Sequence, residues 1–153
     1  MADSDIIFLM GNPAGDAGSE RNVLFLDDME WRHSEFSRCV DDLPGFRIWR
    51  VHTAEAAVEL LMSRGFVQVF LDHDLSDDDV MCVPGSATRV PTGMDVVDHI
   101  LGMEHPPSQV VIHSCNGPAA LEMERRLETH SARIAIRRIP FPFLMQSLRS
   151  TRP

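Results

Sequence analysis

Short apolar runs that stop abruptly at acidic or histidine residues punctuate the chain. Val23-Leu24-Phe25-Leu26 runs into Asp27-Asp28, Val67-Gln68-Val69-Phe70-Leu71 into Asp72-His73-Asp74, and Gln109-Val110-Val111-Ile112 into His113-Ser114-Cys115-Asn116. Such runs, too short for helices and without polar alternation, are the pattern of strands buried on both faces. Phe46 to Val51 and Arg133 to Ile139 read as two further strands. Between them the apolar spacing turns helical. Met29 to Asp42 is stopped by Pro44-Gly45, and Ala54 to Arg64 is capped by Thr53 and closed by Gly65. Thr92, with Asp95 three residues on, has capping-box spacing and opens a helix that ends before Pro106-Pro107. Gly117-Pro118 opens a fourth helix to about Thr129, and Phe141 to Leu148 predicts a last one. The sum is (βα)5, an α/β domain with an open parallel sheet, helices on both faces and right-handed connections. This domain spans 22–153. Residues 1–21, with one apolar run at Ile6 to Met10 and a Gly-Asn-Pro turn, form an N-terminal appendage or an extra edge strand. The Leu75 to Pro91 loop is long for a compact domain, which suggests a lid or specificity insert.

Composition narrows the chemistry. At 153 residues, with 44% apolar and 24% charged positions, the chain has the make-up of one globular domain. The acidic start Met-Ala-Asp-Ser-Asp is unlike a secretory signal, and no apolar run reaches membrane-span length, so a cytoplasmic location without membrane association is expected. Three cysteines, Cys39, Cys82 and Cys115, are odd in number and never paired as C-x-x-C, the pattern of free thiols. All 14 basic residues are arginine, which excludes a P-loop lysine and a Schiff-base lysine. A net charge of -9 disfavours adhesion to extended duplex nucleic acid or an anionic membrane. A small phosphorylated substrate or an RNA end, needing one or two local arginines, stays compatible. Nothing in the sequence sets the oligomeric state.

In an open parallel sheet, ligands bind beyond the carboxyl ends of the strands, where strand order reverses. The acids and histidines that close the runs all fall on that edge. Asp27, Asp28, Asp72 and Asp74 would repel one another there unless a hard divalent cation, Mg2+ or Mn2+, or raised pKa values relieve them. Taken locally, Asp28 reads equally well as the N-cap of the first helix, and Arg32 as a solvated partner of Asp28 or Glu35. Asp77-Asp78-Asp79 reads as a solvated acidic loop. His33, His52, His99, His105 and His130 fall on helices or connections and carry no assigned role.

The acidic pair Asp27-Asp28, Asp72, the helix start Gly93-Met94-Asp95 and Ser114 resemble the response-regulator receiver fold over roughly residues 22–148, which implies strand order 2-1-3-4-5. Receivers carry a lysine before a proline at the end of strand five; this chain has Ile139-Pro140 there. His73, His113, Arg32 and the run Gly117-Pro118-Ala119-Ala120-Leu121-Glu122-Met123 resemble a receiver-derived group, the cyclic-phosphate processing receiver domains, proposed to act on cyclic phosphates in RNA repair or processing.

That resemblance implies a metal-assisted phosphoesterase acting on a 2',3'-cyclic or terminal phosphate of RNA or a nucleotide. His73 and His113 would be the acid and base, with Asp72 a further catalytic residue. Asp27, Asp28, Asp72 and Asp74 would hold Mg2+ or Mn2+, and Arg32, Ser114 and Asn116 would bind phosphate oxygens. As residues at strand ends, both histidines are expected to be partly exposed. The alternatives are a phosphomonoesterase with Asp72 as nucleophile, and a non-catalytic receiver-like module that binds a partner protein or ligand.

Overall fold

The computed structural model describes residues 21–75 and 90–150; the N-terminal appendage except Arg21, which opens the first strand, the Asp77-Asp78-Asp79 run, Cys82 and most of the long loop lie outside them. Five βα units follow in chain order: β1 (Arg21–Leu26), α1 (Glu30–Val40), β2 (Phe46–Val51), α2 (Ala54–Ser63), β3 (Gln68–Leu71), α3 (Gly93–Leu101), β4 (Gln109–Ile112), α4 (Gly117–His130), β5 (Ala135–Arg138) and α5 (Phe141–Ser150). All strand pairs are parallel and the order is β2-β1-β3-β4-β5, as expected. Among the described residues, no helix is long and apolar enough to cross a membrane.

Side chains alternate across a strand, so each apolar run feeds two cores. Leu24, Leu26, Val69, Leu71, Val110 and Ile112 pack with Ala57, Leu61, Val97 and Met123 on the face covered by α2, α3 and α4. Val23, Phe25, Phe70 and Val111 pack with Phe36, Val40, Phe141 and Leu144 on the face covered by α1 and α5. The central strands β1, β3 and β4 are therefore buried on both sides. The edge strand β5 is mostly exposed, and its Arg138 pairs with Glu124 of α4.

Helix starts follow local chemistry. Thr53 caps α2, and Thr92 and Asp95 form the expected capping box on α3. The start of α1 differs from the expected Asp28 cap. Its N-cap is Met29, which has no capping side chain, and Asp27 Oδ1 accepts the Met29 N–H at 2.8 Å instead. Gly45, between α1 and β2, has φ +80, a left-handed conformation that glycine adopts without steric cost. α2 ends at Ser63 with Arg64 extended, so Gly65 makes no left-handed cap.

Candidate functional site at the carboxyl edge of the sheet

The chain leaves β1 toward β2 on one side and returns to β3 on the other, so the carboxyl ends of β1 and β3 flank the point of reversal. Leu26 pairs with Leu71 in register, which puts Asp27 and Asp72 side by side as the next residues. The ladder runs one residue past each strand: Asp72 N–H donates to Leu26 O at 3.1 Å and His113 N–H to Leu71 O at 2.9 Å. Alternation therefore persists too. Asp27 follows the parity of Phe25, Asp72 that of Phe70 and His113 that of Val111, all on the α1/α5 face. Arg32, in the first turn of α1, reaches the same place.

One oxygen from each of Asp27, Asp28 and Asp72 lies within 4.8 Å of the others. Asp27 is fully buried and Asp72 only 4% exposed. Arg32 Nη1 donates to Asp27 Oδ2 at 3.1 Å and to Asp72 Oδ2 at 3.4 Å, and Nη2 lies 3.7 Å from the Cys115 sulfur. Arg32 is thus a cross-strand bridge with 13% side-chain exposure, not the solvated partner of Asp28 or Glu35 that its spacing suggests. Burial raises the pKa of Asp27, opposed by the Met29 N–H and Arg32. Burial, then repulsion from Asp27, pushes Asp72 up to about 6, although the Ser114 hydroxyl, Arg32 and the His73 N–H all favour its charged form. Asp27 and Asp72 share the one guanidinium of Arg32, so their two carboxylates outnumber it. Hard oxygen donors with that charge suit a divalent cation, so the residues present fit Mg2+ or Mn2+.

These groups open into a cleft of about 420 Å³ lined by Asp28, Arg32, Asp72, Asp74, Ser114 and Asn116. Two expected roles change here. Asp74 stands outside the three-carboxylate cluster: its carboxylate accepts from Asn116 Nδ2 at 3.2 Å and faces His73 Nδ1 at 2.6 Å, so it ties the β3 end to the start of α4. Asn116 spends both ends of its amide structurally, with Oδ1 accepting the Ala119 N–H at 3.2 Å as the N-cap of α4. Ser114 lines the cleft and its Oγ accepts the Asn116 N–H at 3.1 Å.

The two histidines separate. His73 is not among the described residues that line the cleft; its side chain is 21% exposed and its Nδ1 faces Asp74 Oδ1 at 2.6 Å. His113 is fully buried, contrary to the expected partial exposure. Its ring stacks on Phe25 at 5.0 Å and meets Phe141 edge-on at 5.9 Å. Its nitrogens make no well-formed hydrogen bond, although the Leu26 backbone lies near enough to favour the charged form weakly, and Nδ1 stands 3.6 Å from Asp27 Oδ2. Burial, then the charge of Arg32, pushes its pKa down to about 3. A neutral ring behind Asp27 cannot exchange protons with a ligand in the cleft, so His113 supports the acid cluster from beneath. His33 joins it there: buried, its Nε2 lies 2.7 Å from the Asp27 carbonyl oxygen.

Gly93 also belongs to the site's scaffold. A Cβ there would stand 2.0 Å from the Asp72 carbonyl oxygen, and the Gly93 N–H donates to His73 O at 3.0 Å. Its place just before the α3 apolar stripe marks it as a helix start, but no local spacing reports contact with Asp72.

The buried His113 makes stability depend on pH. Its folded pKa near 3 lies below the unfolded 6.5, so the unfolded chain binds the extra proton between those values and stability falls as pH drops below 6.5. Asp72, raised from 3.8 to about 6, acts oppositely, so the wild-type curve alone mixes the two. Comparison with His113→Phe removes the histidine alone. Relative to its value at pH 7.5, the variant is expected to gain about 2 kcal/mol over wild type by pH 5, at about 1.4 kcal/mol per pH unit. Urea unfolding at both pH values reads this; parallel pH curves would mean that His113 is charged or solvated in the fold.

Comparisons place this geometry among known proteins. A family model described as Cyclic-phosphate processing Receiver domain matches residues 22–129. The fold is similar to the CheY-like response regulator receiver domain from Methylobacillus flagellatus, at 19% identity over 86% of this chain and 98% of that one, with TM-score 0.54. It is similar to the response regulator domain of Thermotoga maritima CheB, at 17% identity over 85% of this chain and 94% of that one, with TM-score 0.55. A third is a response regulator protein from Burkholderia pseudomallei with a phosphorylated aspartic acid, calcium ion and citrate, at 16% identity over 84% of this chain and 66% of that one, with TM-score 0.52. At these identities the structures establish the fold. No match to a curated protein is found.

Proposed function

Because the chain belongs to the family of cyclic-phosphate processing receiver domains, we propose that it is a phosphoesterase that processes a 2',3'-cyclic or terminal phosphate of a nucleotide or RNA end, assisted by Mg2+ or Mn2+. The observation that carries this reading is the Asp27, Asp28, Asp72 and Arg32 cluster, gathered from separate elements at the reversal point of the sheet and opening into the cleft. Asp27, Asp28 and Asp72 would hold the ion, which would neutralise charge on the phosphate. The Burkholderia protein, which has a similar fold and whose structure holds a phosphorylated aspartic acid and a calcium ion, supports a cation in this reading.

Opening the cyclic ester needs water to attack phosphorus as the bond to one ribose oxygen breaks; a base takes the water proton and an acid delivers one to the leaving oxygen. His73 fits one of these tasks. Asp74 faces its Nδ1, which would leave Nε2 for the substrate. Arg32 stabilises the nonbridging oxygens, and the Ser114 hydroxyl orients Asp72. With His113 shut in the core, the histidine pair reduces to His73 acting beside the acid cluster.

The test uses the pure protein with 2',3'-cyclic nucleotides, a cyclic-phosphate-ended oligonucleotide and simple phosphomonoesters, with and without Mg2+ or Mn2+. Ion-dependent cleavage of a cyclic phosphate is expected, and His73→Ala should lower the rate about 100- to 10,000-fold. Millimolar Mg2+ should raise the melting temperature of the wild type and do so less in Asp72→Asn. Absence of any cleavage, or full activity in His73→Ala, removes the mechanism, and equal shifts in wild type and Asp72→Asn misplace the ion.

A further inference from the structure

Arg32 stands between two cavities. On one side it lines the acid cleft. On the other, its guanidinium carbon lies 5.5 Å from the centre of the Trp31 ring and 5.1 Å from that of Phe141, and both rings line a groove of about 450 Å³ between α1 and α5. We propose that Trp31 is the stacking platform for the base of a nucleotide whose phosphate occupies the cleft, so that the protein takes nucleotide and RNA-end phosphates over small phosphate esters that lack a base. The location of the phosphate rests on the phosphoesterase reading, whereas stacking on Trp31 is readable without turnover.

A single exposed apolar side chain needs no explanation, so exposure alone decides nothing. Three further features of Trp31 do. It is the second residue of α1, and helical side chains lean toward the helix N-terminus, here toward the carboxyl edge of the sheet that holds the acids. Its ring is propped rather than loose: it meets the buried Phe141 edge-on at 5.5 Å and 89° while staying 55% exposed. It also adjoins the residue placed on the phosphate, with the Arg32 guanidinium carbon 5.5 Å from its ring centre.

The lining decides the occupant. The groove's two arginines, Arg38 and Arg149, share the single carboxylate of Glu35. Phe141 and Met145 are buried apolar groups along it. A neutral, flat, polarisable ring suits such a surface, and every base offers one, so stacking here would be tolerant of base identity. The phosphate, in contrast, belongs with Arg32 and the ion on the other side.

The test compares wild type, Trp31→Phe and Trp31→Ala with adenosine 2',3'-cyclic phosphate and with glycerol 1,2-cyclic phosphate, which carries no base. The adenosine ligand is expected to quench tryptophan emission in wild type but not in Trp31→Phe, where Trp49 alone remains. Trp31→Phe should keep most of the affinity measured by calorimetry, and Trp31→Ala should lose about tenfold to a hundredfold. The base-free ligand should change at most a fewfold across the three proteins. Undiminished adenosine binding by Trp31→Ala overturns the platform even where cleavage is observed. Quenching that depends on Trp31 without any cleavage keeps the platform and removes the phosphoesterase reading. A dimer seen by sedimentation that Trp31→Ala dissociates, with no quenching by the adenosine ligand, overturns the proposal and assigns the groove to a second copy of the chain.

Discussion

Gly93→Ala is expected to cost about 3 kcal/mol of stability, the upper end of ordinary overpacking, and to blunt the response to Mg2+ as well. The new Cβ would lie 2.0 Å from the Asp72 carbonyl oxygen, 2.9 Å from its carbonyl carbon and 3.1 Å from the His73 Cα. All three are backbone atoms, so no rotamer change relieves the contact. Either α3 withdraws from the end of β3, breaking the Gly93 to His73 hydrogen bond, or the Asp72 backbone shifts and takes its carboxylate out of the cluster. The first route spends stability and the second spends the site. Urea unfolding together with the Mg2+-induced rise in melting temperature measures both. A variant within about 0.5 kcal/mol of wild type with an undiminished Mg2+ response would show that this close approach is not rigid.

How far the sequence reads ahead of the structure depends on the range of each interaction. The strands β1, β3 and β4 are legible because a strand buried on both faces must be apolar at every position, and each run ends where the chain leaves the core. The caps by Thr53 and Thr92 are legible because they act within three residues. Arg32 is not, since its partner Asp72 is forty residues away and enters only when β3 is laid beside β1. The burial of His113 is a subtler failure. A polar residue after an apolar run looks like the exit from the core, yet Val111 and His113 share parity, and Val111 belongs to the α1/α5 core. What hides this is that the ladder continues to Phe141, whose N–H donates to His113 O at 2.9 Å, while Phe141 covers the ring. Asp27 and Asp72 obey the same parity, and Arg32 bridges the two.

Arg32→Met is expected to lower stability by about 3 kcal/mol at pH 7.5, because removing one partner of a buried pair leaves the other uncompensated. Asp27 and Asp72 would then lose the guanidinium that bridges them, while the methionine keeps an apolar side chain beside Phe141. The loss should shrink in acid. Asp72 already titrates near 6 in the fold against 3.8 unfolded, so the folded state binds the extra proton in that window and this group favours folding as pH falls. Without the guanidinium its pKa climbs further. His113, held down in part by the same positive charge, also climbs, which reduces its own acid penalty. Both changes act in one direction, so the difference between Arg32→Met and wild type at pH 5.5 should be clearly smaller than at pH 7.5. A divalent ion should rescue the variant as well: Arg32 Nη1 occupies Oδ2 of both Asp27 and Asp72, and its removal frees those oxygens and leaves one more negative charge to neutralise. The Mg2+-induced rise in melting temperature is therefore expected to be larger in Arg32→Met than in wild type, the reverse of Asp72→Asn. Equal stability at pH 7.5 would return Arg32 to a surface ion pair of little energetic weight, and an unchanged Mg2+ response would place the ion away from these carboxylates.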